Sequence, residues 1–278
     1  MGRRRHPRHM VQMMFRKLGL ALVVLISGCL WAQNPQPQNQ ASEDEKLQSE
    51  SNPTQSVFLS IRNEYFNLAD GNWVNALIVR SDKVFFKKNR RLGGKAGILT
   101  RFDFPIATAQ VGGATQAGLG DLYTQFVYVP WLTPRFALAM GSGFTLPTAT
   151  HSTLGSGKWQ AAPVVAPVWF FPERKGYFLV KLQNFVSFAG AGSRPDVNYL
   201  LTTPTVFYRF HRRWWVLLDT EAKTNWERDH RVSFRSGIQV GHAVSPRIAL
   251  FVKNEAPWGE HREGDWALKV GMIVYREK

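Results

Sequence analysis

Hydrophobic and polar residues alternate along most of the chain beyond residue 56, and most plainly over residues 214–226. Every second position there, Trp214, Val216, Leu218, Thr220, Ala222, Thr224 and Trp226, is apolar or small, and the positions between are Trp215, Leu217, Asp219, Glu221, Lys223 and Asn225. A period of two belongs to an extended strand whose two faces meet different surroundings. A soluble sheet gives the same alternation, but its strands average about 5–6 residues, roughly half this run. Trp closes both ends of the apolar face, as where a strand crosses two membrane interfaces. The stretch predicts one strand of a transmembrane β-barrel, with Trp214 near the periplasmic interface and Trp226 near the outer one.

The same period recurs. Outward Ala161, Pro163, Val165, Pro167, Trp169 and Phe171 follow Trp159, and outward Phe178, Val180, Leu182, Val186 and Phe188 oppose Lys181, Gln183 and Ser187. Val232, Phe234, Ile238 and Val240 oppose Ser233, Arg235 and Gln239. Ile248, Leu250 and Val252 oppose Lys253 and Glu255, and Trp266, Leu268, Val270, Met272 and Val274 oppose Asp265 and Lys269. A charge on the lipid face of a barrel costs roughly 2–4 kcal/mol at the midplane, so a bilayer enforces apolar-out, charged-in order. Asn184 breaks one outward set. Pro163 and Pro167 cannot donate to a ladder, so each predicts a bulge or a lost hydrogen bond. Ala137, Ala139, Gly141 and Gly143 form a small inward face that leaves room in the lumen or admits a close neighbour.

Connections alternate in character. Short turns at 131–134, 172–176, 211–213 and 244–247 interleave with longer, Gly-rich or polar segments at 107–120, 148–157, 190–196, 227–230 and 259–264. Outer-membrane barrels have short periplasmic turns and longer outer loops, so both ends of the barrel fall in the periplasm and the strand count is even. About twelve strands fit. The first two hairpins are the least regular, because 82–94 reads as a long turn, and a count of ten stays open.

The N-terminal 17 residues hold Arg3, Arg4, Arg5, Arg8, Arg16 and Lys17 and no acid, ahead of an apolar run at 18–26 and then Ser27, Gly28 and Cys29. A basic region, a short apolar core and small residues make an export signal, assigned to 1–32. A spanning helix needs about 20 apolar residues, which this run lacks. Cys29 is the only cysteine, which excludes an intramolecular disulfide. Residues 26–29 resemble a lipobox, making Cys29 a candidate lipidation site; cleavage near Ala32 would instead discard it. Residues 33–55, rich in Gln, Asn, Pro and acids, cannot bury a core and read as a flexible, disordered periplasmic tail. The barrel takes 56–278.

The formal net charge is +15; without those six cations, 35 bases become 29 against 20 acids, a net of +9. The bases are scattered over turns and polar faces, not gathered into a patch, so no nucleic-acid partner is expected. Gly155-Ser156-Gly157-Lys158 lacks the spacing of a phosphate loop and runs into Trp159, the start of a strand. His151-Ser152 is the one adjacent base–nucleophile pair, but neighbours on an extended segment point apart. An embedded lipid-modifying enzyme, which needs such a pair, is therefore the weakest alternative, with no catalytic residue assigned. No metal-ligand spacing occurs and no cofactor is expected.

Gly118-Leu119-Gly120-Asp121, Leu146-Pro147-Thr148-Ala149-Thr150, Leu154-Gly155-Ser156-Gly157-Lys158-Trp159, Val197-Asn198-Tyr199-Leu200-Leu201 and Asp265-Trp266 occur in that order. Together they resemble the outer-membrane barrel family catalogued under meta-pathway phenol degradation, some of whose bacterial members are labelled neuromedin U. The resemblance covers about 56–278. It implies a barrel that moves small, often hydrophobic, compounds, and supplies no catalytic or binding residue. The chain departs from outer-membrane barrels in ending Tyr275-Arg276-Glu277-Lys278, without a terminal aromatic.

The expectation is an all-β, antiparallel transmembrane β-barrel, a monomer in the outer membrane of a Gram-negative-type cell. Its partners would be outer-membrane lipids and lipopolysaccharide, the barrel-assembly machinery and small-molecule solutes. The candidate lumen-lining residues are Arg62, Glu64, Arg101, Asp103, Lys181, Gln183, Asp219, Glu221, Lys223, Arg235, Lys253 and Lys269. They either select permeating solutes or neutralise one another in a plugged structural or surface-interaction barrel. Passive uptake of small, hydrophobic or aromatic compounds is the leading reading.

Overall fold

A computed structural model describes residues 57–89, 94–211 and 213–275. The anticipated export signal with Cys29 and the polar tail, 1–55, lie outside the described residues. The strands are β1 (Val57–Asn67), β2 (Trp73–Asn89), β3 (Gly94–Val111), β4 (Ala114–Leu119), β5 (Leu122–Leu132), β6 (Phe136–Leu146) and β7 (Lys158–Phe170). They continue with β8 (Gly176–Gly190), β9 (Asn198–His211), β10 (Trp214–Asn225), β11 (Arg231–Ala243), β12 (Ile248–Trp258) and β13 (Trp266–Tyr275).

All pairings are antiparallel, and each strand follows its sequence neighbour except around β4. β1 pairs with β13 as well as with β2, so the sheet closes. The closed ring has twelve strands, with β4 outside it: β4 pairs with 106–111 of β3, while β5 takes 95–103 of the same strand. Closure removes the unpaired edges that hydrocarbon would not tolerate. The end where β1 begins and β13 finishes is called the terminal end below, and the opposite one the loop end.

Two segments differ from the sequence reading, for one reason. Residues 82–89 continue β2 in unbroken register with β3, from Asp82 opposite Arg101 to Asn89 opposite Gly94. The supposed turn at 82–94 is therefore a strand, which favours twelve over ten. Residues 107–111 and 114–119, read as a loop, form the hairpin of β3 and β4, with Gly112 and Gly113 at positive φ between them. Lys83 and Lys87 on exposed positions, and Gly- and Thr-rich sequence at 112–120, carry too little apolar contrast to reveal a period.

The outer surface is apolar. Phe102, Phe126, Met140, Leu182, Leu218, Ile238, Val252 and Val270 are all exposed around it, far more contiguous apolar area than water-facing proteins carry. Aromatic belts bound this band. Towards the terminal end, Trp131, Phe136, Trp169 and Phe178 form a chain across β5–β8, with successive ring centroids 5.3, 5.8 and 5.6 Å apart. Towards the loop end, Tyr65 lies between Trp73 and Trp266, and Phe234 stacks on Trp258 at 4.3 Å. Indole N–H groups at this end donate to side chains: Trp73 to Gln110, Trp258 to Ser236 and Trp226 to Asn184 Oδ1. Asn184, the misfit in its outward set, thus holds the belt in place. An apolar body with a polar tip suits the interface.

The prolines of β7 act as expected. Residues 160–169 face β6 without a break, but partners on β8 are interrupted at 162–163 and again at 166–167. Leu218, halfway along β10 and 48 % exposed, sits in the middle of the lipid face. Leu218→Arg is expected to lower the unfolding free energy in lipid vesicles by roughly 2–4 kcal/mol. A urea midpoint equal to that of the native protein would place this face in water.

Candidate functional site

Inward side chains divide the lumen along its axis. In the terminal half they are apolar: Val168, Phe170, Tyr177, Leu179, Phe207, Trp215, Leu217, Phe251, Ile273 and Tyr275 form one buried cluster. Leu99, Val127, Val129, Ala139, Val164 and Ala166 form a second. Tyr177 stacks on Phe207 at 5.1 Å, and Phe207 lies 5.6 Å from Trp215. The inward face is therefore not uniformly polar. Trp215 and Leu217 share a face with Asp219 and Glu221, yet belong to a dry layer. Tyr275, the final residue described, is part of it.

In the loop half the lumen is charged, and unevenly so around its wall. Arg80 donates two bonds of 2.6 Å to Asp103, and Arg101 reaches Asp82 at 2.9 and 2.7 Å. Arg62 lies 3.6 Å from Asp103 and pairs with Glu64. Glu64 meets Lys269 at 3.6 Å, and Lys269 meets Glu255 at 3.0 Å. Glu255 also contacts Lys253 at 2.7 Å and Arg235 at 3.7 Å; Lys253 bonds Asp219 and Arg235 bonds Glu221, each at 2.6 Å. These groups line β3, β2, β1, β13, β12, β11 and β10, seven consecutive strands of the ring. Lys223, nearer the loop end, pairs instead with Glu263 of the last loop at 2.8 Å.

The remaining arc, β5–β9, presents Tyr123, Gln125, Ala139, Val164, Gln183, Phe185, Leu201, Thr203 and Thr205, with Lys181 as the one charged group it adds to the central cavity. Gln183 donates to the Tyr123 hydroxyl at 2.7 Å across two intervening strands. The small inward face of β6 makes this possible: a Cβ on Gly143 would collide with the Tyr123 ring. The Lys181 side chain has no ion pair or hydrogen bond to any described residue. The cavity between the two arcs holds about 360 Å³.

Seven of the twelve candidates, Arg101, Lys181, Gln183, Asp219, Glu221, Lys253 and Lys269, line the central cavity, and Arg62, Glu64, Asp103 and Arg235 join them through the ion-pair network, while Lys223 pairs nearer the loop end. Arg80, Asp82, Tyr123 and Glu255 were not among the candidates. Asp265, read as inward, lies in a loop and pairs with Arg262 at 3.2 Å. His151 and Ser152 are both exposed on the loop between β6 and β7, where the Ser152 carbonyl accepts from Arg194.

The sequence strings 118–121 and 154–159 meet at the loop end. Asp121 accepts from the backbone N–H groups of Ala149 (3.2 Å) and Ser156 (2.6 Å) and from the Ser156 hydroxyl (2.9 Å). Gly155 must be small here, because a Cβ would strike that carboxylate, and one on Gly118 would strike Thr150. Arg194 donates to the carbonyls of Ser152, Gly155 and Ser156, and Lys158 bonds Asp196 at 2.8 Å, so the next loop fastens the same clasp. Asp121→Ala is expected to raise hydrogen exchange at 149–156, since hydrogen bonds to a charged group contribute about 1.5–3 kcal/mol each. Unchanged protection there would show that the loop holds its shape without Asp121.

Both of these strings lie within residues 36–180, which match the model of the family described as "Putative MetA-pathway of phenol degradation". The match takes in just over half of the 278-residue chain. The chain belongs to this family. In this chain the two strings form the clasp at the loop end.

Solved structures share the fold. An outer membrane channel from Pseudomonas putida F1 aligns at 12 % identity with a TM-score of 0.64, covering 87 % of this chain and 99 % of that one. The NanC porin aligns at 11 % identity and 0.54, covering 78 % and 100 %. The CymD monoaromatic hydrocarbon channel aligns at 9 % and 0.51, covering 86 % and 92 %. No curated protein matches the chain.

Proposed function

We propose that the protein is a passive outer-membrane channel for small compounds with a substantial apolar or aromatic part. The carrying observation is the central cavity, whose walls combine an arc with Lys181 as its one charge, Leu99, Val127, Val164 and Leu179 towards the terminal end, and a counter-charged arc opposite. Its volume of about 360 Å³ falls in the range of pockets that take small ligands, about 300–1,000 Å³, and its apolar groups lie beside a larger set of polar ones. The family description and the titles of the channel neighbours support this reading. The N-terminal signal serves export, the terminal end faces the periplasm and the clasped loops face outward.

A second reading, a closed structural barrel, draws on the apolar layer at the terminal end, where Tyr177, Phe207 and Trp215 are each 1 % exposed. Flux of phenol and of a similar-sized sugar into protein-loaded vesicles with a lipopolysaccharide outer leaflet, which slows unassisted entry of phenol, separates the two. The channel reading expects phenol flux well above that of protein-free vesicles. Equal flux with and without protein would leave the structural barrel standing.

A further inference from the structure

We infer that the central cavity holds a specific site for a monocarboxylate with an aromatic body, whose carboxylate is received by Lys181. The inference deepens the channel reading and rests on it. Lys181 differs from the other lumen cations. Arg62, Arg80, Arg101, Arg235, Lys253 and Lys269 each lie within ion-pair distance of a carboxylate. The acids of the cavity are likewise engaged: Asp219 with Lys253, Glu221 with Arg235, and Glu255 with Lys253 and Lys269.

Lys181 has no such partner because of its register. Its neighbour on β9 is Thr203, and β7 brings the uncharged Val164 and Ala166 to the same cavity. The Thr203 hydroxyl is itself buried without a hydrogen-bond partner. With that hydroxyl buried, the Lys181 ammonium is the donor this arc offers to a carboxylate in the cavity.

The surroundings set the rest of the ligand. Towards the terminal end from Lys181 lies Leu179, with Leu99, Val127 and Ala166 around the same space; towards the loop end lies Phe185, stacked on Tyr199 at 4.9 Å. A flat apolar body fits between these layers. A second negative charge would meet cations that already hold carboxylates, Arg80 with Asp103, Arg101 with Asp82, Lys253 with Asp219 and Lys269 with Glu255, so one carboxylate is favoured over two.

Calorimetry on the detergent-folded full chain with sodium benzoate, and with benzyl alcohol as its neutral counterpart, tests this. The native protein is expected to bind benzoate more tightly than benzyl alcohol. Lys181→Gln is expected to weaken benzoate about tenfold, as loss of one charge-assisted hydrogen bond predicts, and to leave benzyl alcohol unchanged. Lys181→Arg should restore most of the benzoate affinity. The benzoate–alcohol comparison on the native chain needs no variant, so it decides even if Lys181→Gln fails to fold. No preference for benzoate in the native protein, or equal benzoate affinity in native and Lys181→Gln chains, overturns the site. Phenol flux measured in parallel keeps the two readings apart. Flux without benzoate binding removes the site and retains the channel; benzoate binding without flux removes the channel instead.

Discussion

Replacing Trp215 with Ala is expected to open the terminal end of the barrel to small solutes. Trp215 is the largest fully buried side chain in the lumen, lying over Gly241 of β11, where a Cβ would run into its ring. It joins Phe207 and, through it, Tyr177, so a single indole bridges β9, β10 and β11. Apolar constrictions of this kind gate pores by excluding water. Truncation should therefore raise flux of phenol and of small polar solutes together, whereas Trp215→Phe keeps most of the constriction. The same change should cost about 3–5 kcal/mol of unfolding free energy, as removal of a core aromatic does. Reduced stability with native-like flux would mean that solutes pass elsewhere.

The second large effect is expected at Glu255. Its side chain is 5 % exposed and lies within 4 Å of Lys253, Lys269 and Arg235. Glu255→Gln leaves three cations sharing Asp219, Glu221 and Glu64. Breaking a buried ion pair from one side costs about 3–5 kcal/mol, and the amide, still able to accept a bond from Lys253, places this case at the lower end. The double variant Glu255→Gln, Lys269→Gln should recover part of the loss, because it removes one of the stranded cations. Urea unfolding in vesicles measures both. A double variant no better than the single one would show that the network does not act through charge balance. The network is not a large source of net stability, since desolvation offsets most of the attraction. What it does is hold neighbouring strands at fixed positions around more than half the ring.

Much of the fold was legible because a bilayer imposes a strict pattern. Residues 214–226 showed it best: apolar residues every second position and Trp at both ends. Even there, period alone could not distinguish a dry inward Trp215 from a wet inward Asp219, because position along the barrel axis decides it. Asp82 was missed because Lys83, Lys87 and Lys88 made 82–94 look like a turn, and Arg80, just ahead of it, was given no face. A signal did exist. Arg80-Ser81-Asp82 and Arg101-Phe102-Asp103 are mutually complementary when laid antiparallel. Lys181 was visible as an inward cation, but its lack of a partner depends on which residues face it on β7 and β9, and no single strand contains that. The clasp at Asp121 was visible only as two strings, 118–121 and 154–159, with no sign that they meet.

That complementary pair has a consequence for how the barrel reaches its final pairing. In the observed register Arg80 faces Asp103 and Asp82 faces Arg101. A slip of one residue would turn the side chains of a whole strand to the wrong face, which the bilayer already forbids. A slip of two preserves the faces, so lipid cannot detect it. Yet sliding two residues one way sets Arg80 against Arg101, and sliding the other way sets Asp82 against Asp103. The longest hairpin of the ring thus carries its own error check, written in charge where hydrophobicity is blind.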